Sequence, residues 1–540
     1  MNAFATVLFM RFCGTTVMIA SGLLPIPRRQ VRQYLSAVLP FFCGSLRGLA
    51  QHIAELARKE TKIHLFALSA ILLLAILLRL SFLSQPMRYD ESFTFLNYAS
   101  RPLHVGLSLY DKPNNHLFHT LLVHIACLLL GDDPGVIRLP ALLAGILLVP
   151  ASYIASRILF NRCAALLTAG LVASSSALVE YSTNARGYTL ICLIFLAILA
   201  LGTHLKRSKN PAAWLMFAVL SALGFYTIPT MFYPFGIVVT WLLLSAISGD
   251  ASLPPRPLVR NLLLHIAVTA GLTFVLYVPP IVVSGLASVT SNRFVASQPW
   301  SYFATQFPAS LYGVWNQWHR DIPVAVTFLL MVGFLTSLVL GQRLTTRRVS
   351  IVLAVAIWCI PVLLVQRVVP YPRVWLFLLP LYMALASWGL SHVFRPIERI
   401  TKHHHAIWAI LCVVLSFSLG LEVVRRQSVY LSNETGTLRD AETIAVLLKH
   451  RLRPGDRVLA TRPSDYPLMY YFGRHDISVN YLLTDMETTR RILVVVNEPR
   501  QTLEGLLQEA NISRSDWSFP KLAERFQFSS LFELERIDAR

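Results

Sequence analysis

An acidic pair, Asp90 and Glu91, follows the first long apolar run of the chain within the stretch MRYDESFTFLNYAS. A carboxylate at the edge of a bilayer is partly desolvated, which suits it to accept a proton from a hydroxyl group. The alternative is an ordinary solvated loop. Adjacent residues in an extended segment point in opposite directions, so only one of the two can face a given site. We assign Asp90 as the base and expect a supporting, structural role for Glu91.

A second polar stretch, LYDKPNNHLFH, places Lys112 before a proline at the start of an apolar helix. The ammonium group and the helix N-terminus would both attract a phosphate there. A lysine that only anchors the helix to lipid headgroups is the alternative. Asp111 with His116 or His119 could hold a divalent metal, although this spacing is not diagnostic. The residues therefore favour a phosphate contact, establish no cofactor and leave a metal open.

Three arginines, Arg138, Arg186 and Arg373, lie in loops that the threading below places outside the cytoplasm. Outward arginines run against the positive-inside rule, so each needs a reason. One reason is an ion pair with a nearby acid such as Glu180; another is bidentate binding of an anionic headgroup. Glu180 is as consistent with a structural partner of Arg186 as with a site residue. Tyr188, from the same loop, completes the supporting set.

The composition indicates that membrane helices position these residues. Of the 540 residues, 55% are apolar and only 14% are charged, and the mean hydropathy is +0.56. A soluble chain of this composition could not cover its surface with polar groups. The net charge of +20 comes from short Lys and Arg clusters between apolar runs. That pattern is a topology signal, and it argues against nucleic-acid binding.

Eleven apolar runs are long enough to be spans, with ten to thirteen as the range: 64–84, 136–156, 163–180, 189–205, 211–227, 231–248, 261–283, 322–341, 350–366, 374–390 and 406–422. The basic loops fall at every second connection, so one threading places them all in the cytoplasm. The other loops and the C-terminal tail then face outward. Counting residues 117–130 as a span would spoil this alternation, so we expect an interfacial helix there.

The two ends of the chain differ from the bundle. Residues 1–60 form an extension to which we assign no role, and residues 425–540 predict a small extracytoplasmic α/β domain.

The seven cysteines lie in apolar sequence without a CxxC pair, as expected of small core residues. The HHH tract at 403–405 closes a basic cytoplasmic loop, which favours headgroup contact over a metal site.

The order of these motifs resembles the GT-C superfamily of membrane glycosyltransferases. A span, a DE pair, KP before an interfacial helix, then LGDDPGVIRLPALLAG and LVEYSTNARGY are similar to the branch of the protein O-mannosyltransferases and the lipid A aminoarabinose transferase. The resemblance covers roughly residues 64–390, so the transmembrane domain is expected over 61–424. The chain departs from the pattern at PNNH, where many relatives have PP and an aromatic residue.

The resemblance implies a polyprenyl-phosphate-linked sugar donor and inverting transfer to an unknown hydroxyl acceptor, on the outer face of a bacterial inner membrane. It implies that Asp90 is the general base, that Lys112 and Arg373 bind the donor phosphate, and that Asp111 is a possible metal position. Arg138 is a weaker phosphate candidate. The alternative is a polytopic lipid or polysaccharide transporter without chemistry. A transporter predicts charges buried within the spans, and these spans contain almost none besides Arg79.

Overall fold

The computed structural model describes residues 58–537, apart from 291–295, 345–348, 395–402 and 484–488, together with residues 44, 51 and 55. The predicted N-terminal extension, residues 1–60, lies almost entirely outside the described residues. Two of the basic loops used for the topology, 341–350 and 394–405, lie partly outside them.

The predicted membrane spans coincide with helices. In the described part of the chain, six are long and apolar enough to cross a bilayer: Lys62–Ser81, Leu139–Leu159, Tyr188–Leu205, Pro229–Ile247, Pro255–Ser284 and His404–Arg426. A seventh arises if the bent pair Arg162–Ser174 and Ser176–Ser182 is one span. Shorter apolar helices occupy the remaining predicted spans: Pro211–Thr227, Val324–Val339, Ile351–Gln366 and Leu378–Val393. A polytopic helical architecture is therefore confirmed, while the number eleven stays a prediction.

The segment that was expected to be interfacial forms the helix Leu117–Leu130. Its 14 residues extend roughly 21 Å, whereas the hydrocarbon core is about 30 Å thick. The helix is shorter than a straight crossing requires, as are Ile351–Gln366 and Leu378–Val393, so its interfacial position stays a prediction. Other short elements lie in the predicted outer loops: Tyr89–Thr94, Phe95–Ala99, Leu103–Ser108, Pro134–Ile137, Leu286–Thr290 and Pro372–Trp375, together with the longer helix Trp300–Trp318.

The one arginine predicted inside a span is satisfied by a break in a neighbouring helix. Arg79 is fully buried and donates to the hydroxyl of Ser182 and to the carbonyl of Ala173. The bend of 60° between Arg162–Ser174 and Ser176–Ser182 interrupts the helical ladder at this point. A carbonyl freed at a break needs another donor when no water is present. Arg79 is therefore explained as a structural residue.

The predicted C-terminal α/β unit has a four-stranded sheet: β1 (Asp456–Leu459), β2 (Arg491–Asn497), β3 (Lys521–Arg525) and β4 (Ser529–Glu535). The strand order is β1-β2-β4-β3, with β1 parallel to β2 and the other pairs antiparallel. Its helices are Ser428–Leu431, Ala441–Arg451, Asp465–Arg474, Asn480–Leu483 and Leu503–Glu509. The sequence had indicated β1 and β2 but not the hairpin β3–β4.

This unit packs directly on the outer-loop helices. Met87, Phe95 and Ile137 share an apolar cluster with Leu468 and Tyr471 of the helix Asp465–Arg474. The Tyr471 hydroxyl accepts the backbone N–H of Met87 at 3.2 Å. The acidic pair therefore lies between the helical bundle and the C-terminal unit.

Candidate active site

Asp90 is positioned by backbone pairing with a distant segment. The helix Tyr89–Thr94 begins with two N–H groups that have no helical partner. Those of Tyr89 and Asp90 donate to the carbonyls of Gly436 and Thr435, at 3.0 and 3.1 Å. These carbonyls belong to the irregular stretch SNETGT, here called the 432–437 segment, which follows the helix Ser428–Leu431. It fixes the backbone on which Asp90 stands.

The Asp90 carboxylate is buried but incompletely bonded. Its Oδ1 accepts a hydrogen bond from Asn114 Nδ2 at 3.2 Å. Its Oδ2 lies 3.9 Å from an Arg373 nitrogen, which is beyond hydrogen-bond range. No described residue donates a hydrogen bond to Oδ2. One oxygen is therefore oriented by the protein and the other can accept a proton.

Arg373 faces the same space from the short helix Pro372–Trp375. Besides Asp90, it lies 3.8 Å from Glu434 and over the ring of Tyr371 at 4.5 Å. Burial alone would lower its pKa, but Tyr188 and Asp90 raise it above the ordinary arginine value, so the guanidinium is charged. It donates no hydrogen bond to any described residue. Its donors are thus available to an anion.

Lys112 and Asp111 are both exposed. Asp111 accepts a hydrogen bond from the Tyr98 hydroxyl at 2.7 Å, and burial, together with this bond, raises the pKa of Tyr98. Within the described residues, the Lys112 ammonium has neither an acidic nor a hydrogen-bonding partner. Lys112 precedes Asn114, the residue that contacts Asp90, by two positions. The phosphate contact of Lys112 stays a prediction.

Glu91 and Arg138 form a buried ion pair. The two fully buried side chains form a bidentate pair in which Arg138 Nε lies 3.1 Å from Glu91 Oε2. The remaining Arg138 donors contact the carbonyls of Leu83, Gln85 and Pro86. Glu91 also accepts the backbone N–H groups of Arg88 and Ala185, both at 2.8 Å. Since its donors are occupied, Arg138 leaves the phosphate-binding set.

Arg186 and His116 hold the loop that carries Asn114. Arg186 donates to the Asn114 carbonyl at 2.7 Å and to the Thr94 hydroxyl at 2.9 Å. His116 Nδ1 accepts the backbone N–H of Gly187 at 2.9 Å. Burial, with Arg186 nearby, lowers the pKa of His116 well below its ordinary value, so the imidazole is neutral. The ring of Tyr188 packs edge-on against it, with centroids 5.2 Å apart.

Glu180 forms ion pairs, but neither of them is with Arg186, which was one of the two alternatives for this residue. Its carboxylate is fully buried and binds Arg88 at 2.7 Å and Arg320 at 2.5 Å, instead of Arg186. Arg88 also donates to the carbonyls of Val429 and Glu434. Glu180 therefore ties a span to both the acidic loop and the 432–437 segment.

Sequence reasoning missed the contribution of this segment to the site. Glu434 faces Arg373 and accepts a hydrogen bond from the buried Tyr181 hydroxyl at 3.3 Å. Asn184 donates to the Thr435 hydroxyl at 3.0 Å. The stretch NETGT has turn residues but no helix or strand period, which was the only available signal.

Replacing Gly436 by Ala is expected to disturb the site. Gly436 has a φ of +75°, and an added Cβ would lie 2.8 Å from Tyr89 Cβ and 2.9 Å from Pro463 Cβ. The segment would have to move and would carry Asp90 with it. A displacement of this kind lowers turnover up to about 100-fold. Steady-state turnover of the purified variant measures the effect.

Gly455 provides the matched control, because its φ of +88° is similar but no atom lies within 4 Å of an added Cβ. Gly455→Ala introduces the same backbone strain, about 1–2 kcal/mol, without the collision. If both variants lose equal activity, backbone strain alone is responsible and the positioning role is refuted.

The residues named as possible metal ligands have other partners in this structure. Asp111 is bonded to Tyr98, and both His116 nitrogens contact Gly187 or Arg186. Among the described residues, the sole group of three metal-ligating side chains lies elsewhere. The arrangement supports a base and cations without specifying a metal.

Residues 111–293 match the family model described as dolichyl-phosphate-mannose-protein mannosyltransferase. The crystal structure of ArnT from Cupriavidus metallidurans bound to undecaprenyl phosphate is similar, with 15% identity, a TM-score of 0.52, and coverage of 86% of this chain and 97% of that chain. Archaeal oligosaccharyltransferase AglB from Archaeoglobus fulgidus, in complex with an inhibitory peptide and a dolichol-phosphate, is also similar. The identity is 12% and the TM-score is 0.52, with coverage of 80% of this chain and 69% of that chain. Comparison with curated proteins gives no match. The resemblance to GT-C membrane glycosyltransferases is thus confirmed for the fold of the chain.

Proposed function

We propose that this protein transfers a sugar from a polyprenyl-phosphate-linked donor to a hydroxyl acceptor at the extracytoplasmic face of the inner membrane. The ArnT structure with undecaprenyl phosphate and the AglB structure with a dolichol-phosphate support a lipid-phosphate donor. The basic loops support an outward-facing site. The cell-envelope acceptor is a glycan, a lipid or a protein.

One observation carries the proposal: a carboxylate with a free oxygen and a guanidinium with unused donors face each other at 3.9 Å. A structural ion pair would close to hydrogen-bond distance, as Glu91 and Arg138 do. The Asp90–Arg373 pair instead leaves its polar atoms available. An acceptor hydroxyl and a phosphate would satisfy both.

The reaction follows from this geometry. Asp90 Oδ2 takes the proton of the acceptor hydroxyl as its oxygen attacks the anomeric carbon of the donor. The bond from that carbon to the phosphate oxygen breaks, and polyprenyl phosphate leaves with the electron pair. Arg373 and Lys112 stabilise the charge that develops on the phosphate. Attack opposite to the leaving group inverts the anomeric configuration.

The test supplies purified full-length protein with a panel of undecaprenyl-phosphate-linked hexoses and pentoses, and with extracted envelope lipids, glycans and proteins as acceptors. Release of undecaprenyl phosphate that requires an acceptor, with the sugar recovered on that acceptor, is the expected result. Movement of donors across proteoliposome membranes without sugar transfer would instead favour the transporter.

Arg373→Gln is expected to lower turnover about 100- to 1,000-fold, because one preformed donor to a developing anion contributes that much. Arg373→Lys keeps the charge but loses the bidentate fork, so it should recover only part of the activity. Initial rates of undecaprenyl phosphate release measure both variants.

Arg367→Gln is the matched control, since Arg367 lies in the same loop and stacks over Trp300 at 5.7 Å, away from Asp90. It should keep nearly full turnover. Equal losses in the two glutamine variants would point to general loop damage and remove Arg373 from the phosphate site.

A further inference from the structure

The opposite end of the bundle carries a second cluster of reactive side chains: His64, Cys163 and His405. One ligand atom from each lies within 4.8 Å of the other two. They sit near the N-terminal ends of three helices: Lys62–Ser81, Arg162–Ser174 and His404–Arg426. The first of these helices leads from His64 toward the acidic pair over roughly 27 Å, at 1.5 Å per residue. The cluster is therefore separate from the candidate active site.

We propose that these three side chains bind a Zn²⁺ ion. Two imidazoles and one thiolate form a donor set that zinc prefers among biological divalent cations. In a tetrahedral site with ordinary Zn–N and Zn–S bonds, ligand atoms lie roughly 3.5 Å apart. Closing the cluster onto an ion therefore requires shifts of about 1 Å, which side-chain rotation supplies.

The environment of His64 points independently to a ligand. The side chain is fully buried, and its Nδ1 lies 2.8 Å from the Thr61 hydroxyl. Its Nε2 has no hydrogen-bond partner among the described residues. A buried polar nitrogen without a partner is costly. If Nδ1–H donates to Thr61, the Nε2 lone pair is directed to the ion, as in metal sites whose outer hydrogen bond fixes the histidine.

The fourth coordination position is left to water or to Glu60. Glu60 precedes His64 by four residues, its carboxylate is nearly fully buried, and it pairs with Arg157 at 2.5 Å. A carboxylate beside the ion would offset part of its charge. The ring of His405 stands edge-on to that of His64 with centroids 5.6 Å apart, so the two imidazoles already converge.

A zinc ion here would join three helices that the sequence separates widely. Trp408 already donates to the Cys163 carbonyl at 2.9 Å, so the last long helix is held against Arg162–Ser174 at this level. That helix continues to the 432–437 segment at the candidate active site. We therefore assign the zinc a structural role, independent of the transferase proposal. The proposal also revises the expectation that the HHH tract contacts only headgroups.

The test measures metal content directly. The full-length protein is purified in detergent through an affinity tag without histidine, and metals are quantified by mass spectrometry. We expect about one zinc per chain, as in structural sites, and loss of at least tenfold in Cys163→Ser and His64→Gln. Cys412→Ser, a buried cysteine on the same helix as His405, and His403→Ala should retain zinc.

Two further measurements keep the test decisive if a ligand variant fails to fold. Wild-type protein exchanged with Co²⁺ should show a thiolate-to-cobalt charge-transfer band. Thr61→Val keeps all three ligands but removes the outer hydrogen bond, so zinc affinity should fall about 10- to 100-fold in chelator competition. Wild-type protein that holds neither zinc nor cobalt, or zinc retained in Cys163→Ser, would overturn the proposal.

Discussion

Replacing Asp90 by Asn is expected to lower turnover about 100- to 10,000-fold, the usual contribution of a positioned general base. The amide keeps the size of the carboxylate and can still accept the hydrogen bond from Asn114, so the fold should persist. It cannot take the acceptor proton. Initial rates of undecaprenyl phosphate release, measured at saturating donor, report the loss directly.

Asp132→Asn is the matched control, because it removes one acid from the same loop region. Asp132 is exposed, and its backbone carbonyl, not its carboxylate, accepts a hydrogen bond from the Tyr470 hydroxyl. It should turn over at the wild-type rate. Undiminished turnover of Asp90→Asn would transfer the role of base to another group, with Glu434 next in line because it faces Arg373.

Glu91→Gln is expected to destabilise the protein by about 3–5 kcal/mol, since it leaves the buried charge of Arg138 without its counter-ion. The neighbouring residue thus produces a different phenotype from Asp90→Asn: loss of folded protein instead of loss of chemistry. Thermal unfolding in detergent, followed by the yield of monodisperse protein, measures the change.

Two further variants serve as controls for Glu91→Gln. Glu504→Gln breaks an ion pair with Arg514 in which both side chains are more than half exposed, so the change should stay below about 1 kcal/mol. The double variant Glu91→Gln with Arg138→Gln removes both charges and should lose less than the sum of the single losses. A Glu91→Gln protein with wild-type unfolding but no turnover would make Glu91 catalytic instead of structural.

The helices could be predicted well because each span is encoded by its own apolar run and by the charges of the loops beside it. Apolar runs located every span helix described above, and the alternation of basic loops excluded residues 117–130 from the count. The hairpin β3–β4 was not predicted, because its sequence KLAERFQFSSLFELE mixes charged and apolar residues and does not alternate regularly between them. β4 is nevertheless held by full pairing with the buried strand β2.

Site residues could be predicted only where the charge of the side chain itself indicates a function. Asp90, Lys112 and Arg373 stood out as charges on a face where charges are scarce. Whether such a charge is free or occupied depends on contacts across long stretches of chain. Arg138 and Arg373 look alike in sequence, yet one is saturated by Glu91 and three carbonyls while the other has open donors. The relevance of Glu434 could not be predicted, because it depends on the backbone hydrogen bonds that Thr435 and Gly436 accept from Asp90 and Tyr89.

That pairing has a consequence for biosynthesis. Asp90 leaves the ribosome with the first span, but the carbonyl groups of Thr435 and Gly436 that fix its backbone are synthesised only after the last long helix. Every span can therefore be inserted while the nascent chain still lacks an organised base. A chain interrupted before residue 435 would remain in the bilayer as an inert bundle. Under the proposed function, transfer would therefore begin only near the completion of translation, and an incomplete chain would not consume the lipid-linked donor.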